Sequence, residues 1–130
     1  MLFRSGQIIA GKIELTLSEM SGSQEVPPVM TMASGVGATT YNSDTGAILV
    51  HVNASGVDDA VALHVHQGFA GTNGGILIPL VQDPNNLGHW FTENATLDLA
   101  GDAAYDNDEL YLNLHTPANP GGELRGQIEP

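Results

Sequence analysis

The sequence has no cysteine. Disulfides, thiol nucleophiles and cysteine-ligated zinc sites are therefore excluded. Basic residues are nearly as scarce: Arg4, Lys12 and Arg125 stand against 15 acidic residues, for a net charge of -12. A chain with no basic patch cannot displace the counterions of a phosphate backbone, so nucleic acid and anionic membrane surfaces are excluded as partners. Cations and cationic partners remain. No apolar run approaches the length that crosses a bilayer as a helix, so membrane insertion is not expected. The opening Met1-Leu2-Phe3-Arg4-Ser5 lacks the apolar stretch of a secretory signal. Export would then rest on a signal already removed or on a longer parent chain. The acidic residues form one loose cluster, Asp98 to Glu109. Its Asp106-Asn107-Asp108-Glu109 lacks the spacing of a calcium loop, and it reads as a solvated face.

What is abundant is turn chemistry. Sixteen glycines, seven prolines and many Thr, Val and Asn residues in 130 positions point to one all-β domain of short strands. Residues 7–18 read as a first strand, with Ile13, Leu15 and Leu17 alternating with polar neighbours and Gly11 marking a bulge or bend. A Pro27-Pro28 loop follows. Residues 34–42 and 47–54 read as a hairpin around Ser43-Asp44-Thr45-Gly46. Residues 60–66, 76–82, 89–92, 109–115 and 124–128 complete the set, with Pro79 placing its strand at an edge or bulge. Residues 94–107 read as a loop or short helix. The count of about eight strands predicts an antiparallel sandwich or flattened barrel.

The histidines are the chemically informative residues. Side chains of a strand alternate faces, so Leu63 and Val65 point to the core while His64 and His66 point together to the other side. The same parity puts His115 opposite Leu112 and Leu114, and His51 opposite Val50 and Val52. Three imidazoles converging from adjacent strands suit copper first and zinc second, with an open position for water or a ligand. His64, His66 and His115 are the candidate ligands, and His51 is the candidate fourth ligand or supporting partner. The bland alternative is a set of polar outer-face residues that hydrogen-bond the glycine-rich loop 68–75. His89, beside Trp90, reads as a satisfied loop residue. Glu123 and Arg125 flank the last turn and read as a structural pair. Asn53-Ala54-Ser55 and Asn94-Ala95-Thr96 are glycosylation sequons.

Four stretches carry a family resemblance. They are Leu17-Ser18 with Gln24-Glu25-Val26-Pro27-Pro28-Val29, Ala33-Ser34-Gly35-Val36-Gly37-Ala38, His64-Val65-His66-Gln67-Gly68, and the run from Leu112 to Ile128. Together they make residues 14–130 resemble the CHRD domain, a module of secreted proteins. This implies a Greek-key sandwich outside the cytoplasm, extracellular or periplasmic. It implies location and fold rather than an activity. A more distant similarity links His64-Val65-His66 and His115 to the copper-binding positions of copper/zinc superoxide dismutases and implies a superoxide dismutase-like sandwich. The zinc and bridging positions of those enzymes have no counterpart here. Glu123 stands near the place of their guiding arginine, or that arginine is displaced to Arg125.

Residues 1–13 precede the resemblance. Arg4-Ser5-Gly6-Gln7-Ile8-Ile9 repeats the pattern of Arg125-Gly126-Gln127-Ile128. It reads as the end of a preceding copy in a tandem array, as a strand donated to a neighbouring subunit, or as an added strand. Three functions follow: a secreted or envelope-associated binding or structural module with a mononuclear copper site, a self-assembling extracellular fibre subunit joined through the N-terminal strand, or a copper-dependent redox enzyme. The first is the primary expectation, and the missing ligands argue against a typical dismutase.

Overall fold

The computed structural model describes residues 12–130 in full, together with the backbone of residues 2–4 and 7–10. Two antiparallel sheets pack face to face. Their strands are β1 (Leu2–Arg4), β2 (Gln7–Ala10), β3 (Ile13–Met20), β4 (Ser34–Asn42), β5 (Ile48–Ser55), β6 (Ala62–Gln67), β7 (Ile76–Pro79), β8 (Val81–Asp83), β9 (Asn86–Phe91), β10 (Leu110–His115) and β11 (Leu124–Ile128). One sheet has the order β1-β2-β3-β4-β5-β9-β8 and the other β11-β10-β6-β7. After β7, β8 and β9 the chain returns to lay β10 beside β6, the crossover of a Greek key. The sandwich is drawn together at both edges. Ser21 and Arg125 exchange backbone hydrogen bonds of 3.0 Å each, and the Leu80 N–H reaches the Leu63 carbonyl at 2.9 Å.

The interior follows from strand parity. Ile48, Val50 and Val52 face Leu63, Val65, Leu110, Leu112, Leu114, Leu124 and Ile128, all buried. Gly37 makes room there: a Cβ at that position would lie 2.3 Å from Leu112 Cδ1, so a larger residue would push this leucine aside. The ambiguous 94–107 segment contains helix α1 (Leu99–Asp106), capped by Asp98, whose carboxylate accepts the Gly101 N–H at 2.8 Å. Its Tyr105 packs on Tyr41, with ring centroids 4.4 Å apart.

Three strand expectations are corrected. The segment 7–18 is two antiparallel strands, because Ala10 pairs with Ile13; the expectation for Gly11 falls outside the described residues. The segment 76–82 is also two strands. β7 and β8 belong to different sheets, and the chain changes sheet at Pro79-Leu80, where the missing proline N–H removes a ladder bond. On β3 the face is inverted. Thr16, Ser18 and Met20 point inward, while Leu17 is 53% exposed and Ile13 is exposed too. Tyr105 fills the space inside β3 and its hydroxyl lies 3.4 Å from that of Thr16, so small hydroxyl residues fit where leucines would overfill. Residues 2–4 and 7–10 form a hairpin that pairs with β3 of the same chain.

Candidate metal centre

Register brings three histidines together. His64 and His66 lie two residues apart on β6. On β10, Asn113 is opposite His64 and Tyr111 is opposite His66. His115 is therefore the diagonal neighbour of His64 on the same face. Ring centroids are 4.9 Å apart for His64 and His115, 5.4 Å for His64 and His66, and 5.7 Å for His66 and His115. One nitrogen from each ring lies within 4.8 Å of the others.

Hydrogen bonding selects which nitrogen each ring presents. His66 Nδ1 lies 2.9 Å from the Gly74 carbonyl, and His115 Nδ1 lies 3.0 Å from the Pro120 carbonyl. A carbonyl only accepts, so both Nδ1 atoms carry protons and both Nε2 atoms carry lone pairs. His64 Nδ1 lies 3.2 Å from His115 Nε2 and, that nitrogen being bare, donates its proton to it. To bind a metal through Nδ1 the His64 ring shifts this proton to Nε2. His66 Nε2 is buried and has no hydrogen-bond partner in the protein. A buried imidazole nitrogen without a hydrogen-bond partner, close to two other imidazoles, is free to accept a ligand. Burial holds the His64 ring below the ordinary imidazole range, and the neighbouring His115 and His66 add to this. Burial also lowers His66, against the opposing effect of its bond to Gly74. Both shifts favour the neutral, metal-binding form.

At His66 the outer face of this sheet is covered, while His64 and His115 remain partly exposed. His66 is 8% exposed because the glycine-rich loop 68–75 folds over it. Tyr111, on the middle strand, stacks with His66 on one side, with centroids 5.0 Å apart and planes at 15°. The Arg125 guanidinium lies 3.5 Å from the Tyr111 ring centre and comes from β11 on the other side. Arg125 is 1% exposed. Its nitrogens donate to the Thr72 carbonyl at 2.8 Å, the Phe69 carbonyl at 3.0 Å and Gln127 Oε1 at 3.2 Å. The arginine thus pins the loop whose Gly74 carbonyl orients His66. Gly74 also donates its N–H to the Tyr111 hydroxyl at 2.9 Å. A Cβ at Gly74 would lie 1.5 Å from the Gln67 carbonyl oxygen, which is backbone and cannot yield. Gly74→Ala is therefore expected to displace the loop, free His66 Nδ1 and weaken metal binding by about 10- to 100-fold, measured by competition against a chromogenic chelator.

Glu123 and Arg125 do not pair, contrary to expectation. Arg125 finds carbonyl acceptors in the loop. The Glu123 carboxylate accepts from Thr31 at 2.7 Å, Thr116 at 2.8 Å and Asn119 at 3.2 Å. These donors, Thr31 foremost, hold it below the ordinary carboxylate range. Each charge is satisfied separately, and Glu123 ties together the turn that carries Pro120 and so orients His115. Asn113, buried between these networks, donates to Glu25 and to the Leu124 carbonyl. Sequence reading passed over Tyr111, Gly74 and Pro120 as supports of the histidines; only the HxH spacing and the glycine run hinted at them.

His51 is not brought to this group. Its strand β5 belongs to the seven-stranded sheet, so "outer face" for His51 means the opposite side of the molecule. There it lies 2.9 Å from His89, which is no isolated loop residue but a member of β9.

The architecture is thus a two-sheet sandwich whose smaller sheet carries a cluster of three histidines, one of them buried beneath a glycine-rich loop. The chain matches the CHRD domain family over residues 16–128 and belongs to it. Neither the curated proteins nor the solved structures gave a match. Among the described residues no helix is long and apolar enough to cross a membrane.

Proposed function

We propose that this CHRD domain is an extracellular binding or structural module that holds one copper ion on His64 Nδ1, His66 Nε2 and His115 Nε2. Family membership supports the extracellular placement. The observation that carries the metal reading is the buried, partnerless Nε2 of His66 beside two further imidazoles. Backbone carbonyls fix two of the three rings in the ligand tautomer, and the third, His64, needs only to move its proton from Nδ1 to Nε2. An all-imidazole set without thiolate or carboxylate accepts both copper and zinc, and the order of divalent affinities places copper ahead. Arg125 is buried beneath its own loop, so it presents no charge that would draw an anionic substrate inward. The test is metal analysis and titration of protein purified with and without copper. One tight equivalent, lost in His64→Ala and His115→Ala, supports the reading; absence of a tight equivalent overturns it.

A pH effect follows from the same rings. The folded values of His64 and His66 lie below their ordinary 6.5. As pH falls past 6.5 the unfolded chain takes up protons before the folded one, so folding is penalised in that range. The metal-free protein is expected to lose thermal stability as pH falls below the ordinary imidazole value of 6.5, with that stability complete above it. A His64→Gln/His66→Gln double variant should show a flatter profile over that window in calorimetry.

A further inference from the structure

The other two histidines form a second arrangement that the three-histidine centre does not use. His51 pairs across the strands with Phe91, and His89 with Asn53. His51 and His89 are therefore diagonal neighbours on the outer face of the seven-stranded sheet. His51 Nδ1 lies 2.9 Å from His89 Nε2. The ring planes differ by 8° and the centroids are 5.1 Å apart. The centroids exceed the nitrogens in separation by about one ring width, so the rings meet edge to edge in a common plane rather than face to face. His89 Nδ1 lies 3.1 Å from Asp83 Oδ2. The carboxylate accepts, so His89 carries its proton on Nδ1 and presents a bare Nε2 to His51. Asp83 is itself fixed by the Asn85 N–H at 2.9 Å. Bonds from Asn85 first, and then His89, hold it in the ionised form.

A carboxylate that takes the far N–H of an imidazole is the usual support of a metal-bound histidine. We propose that His51 Nδ1 and His89 Nε2 form a second, solvent-open site for divalent copper or zinc, with Asp83 orienting His89. At bond lengths of roughly 2.0–2.1 Å, two imidazole nitrogens on one ion stand about 2.9 to 3.4 Å apart, which the present separation already meets. The rings now meet head-on, and each must turn by roughly 45° to aim its nitrogen at a common ion. His51 is exposed and shifts its proton from Nδ1 to Nε2, so the ion replaces a shared proton without a change in net protonation. Phe91 flanks both rings, with centroids 6.2 Å from His51 and 5.4 Å from His89. It leaves the solvent side for water to complete the coordination. With two protein ligands instead of three, this site is the weaker of the two.

The two sites lie on different sheets and share no residue, so they can be tested separately. Wild-type protein titrated with zinc or copper and followed by native mass spectrometry and imidazole nitrogen NMR is expected to bind two equivalents. His89→Ala should lose the weaker equivalent alone. Asp83→Asn should weaken it by about 10- to 100-fold. His64→Ala/His66→Ala should retain it while losing the tighter one. Retention of every equivalent in His89→Ala, or a wild type that binds one equivalent without perturbing the His51 and His89 resonances, overturns the second site. Absence of the His64–His66–His115 equivalent from the wild type, with the His51–His89 equivalent present, would count against the proposed function and leave this site standing.

Discussion

His66→Ala is expected to abolish the tight metal equivalent, with affinity falling by more than the roughly 100-fold that loss of a supporting partner brings. The argument rests on three features of one ring. Its Nδ1 proton is committed to the Gly74 carbonyl. Its Nε2 is buried without a partner. Its plane is held against Tyr111. No other described residue offers a nitrogen at that point, so a variant retains two imidazoles and an open cluster. Binding also stabilises by mass action: ligand at 100 times its Kd contributes about 2.7 kcal/mol to folding. Wild type should therefore gain a clear upward shift in Tm on adding copper, and His66→Ala should gain little. The control is His89→Ala, which leaves the His64–His66–His115 cluster intact and should keep most of the shift. A His66→Ala protein that binds as tightly as wild type would remove His66 from the centre.

Arg125→Met is expected to give the largest loss of stability of any single substitution considered, about 3–5 kcal/mol. Methionine fills much of the volume but strands the Phe69 and Thr72 carbonyls and the Gln127 side chain, which the guanidinium now satisfies. It also removes the cation from the Tyr111 face and leaves the buried Glu25 carboxylate without its favourable neighbour. Burial already raises that carboxyl above its ordinary value, with the Asn113 hydrogen bond and Arg125 opposing the shift. Against a total of about 5–15 kcal/mol for a domain, such a loss is readily seen as a lower urea midpoint. Arg125→Lys should recover only part of it, because an ammonium cannot span two carbonyls in a fixed plane. The loop released by either change orients His66, so metal affinity should fall as well. Unchanged affinity with lowered stability would separate the loop from the centre.

The N-terminal half of the large sheet was the least legible part. On β3 the leucines suggested an inward face, yet Thr16 and Ser18 occupy it because Tyr105, remote in sequence, fills the space they leave. The β7–β8 change of sheet had only Pro79 as a sign. The β10–β11 hairpin was clear, since Leu110, Leu112 and Leu114 alternate cleanly and a Pro- and Gly-rich turn separates them from β11.

Parity is local. Chain chirality and the pleat make side chains alternate with period two wherever a strand forms, so the sequence alone determined that His64, His66, His115 and His51 all avoid the core. It also determined the all-β class, because the glycines, prolines and β-branched residues act within a few positions of themselves. Which sheet a strand joins is not local, and it depends on pairings made across dozens of residues. Only the tertiary structure separated His51 from the cluster, paired it with His89, and folded the glycine-rich loop over His66. That cover buries His66, with its Nδ1 protonated and its Nε2 bare.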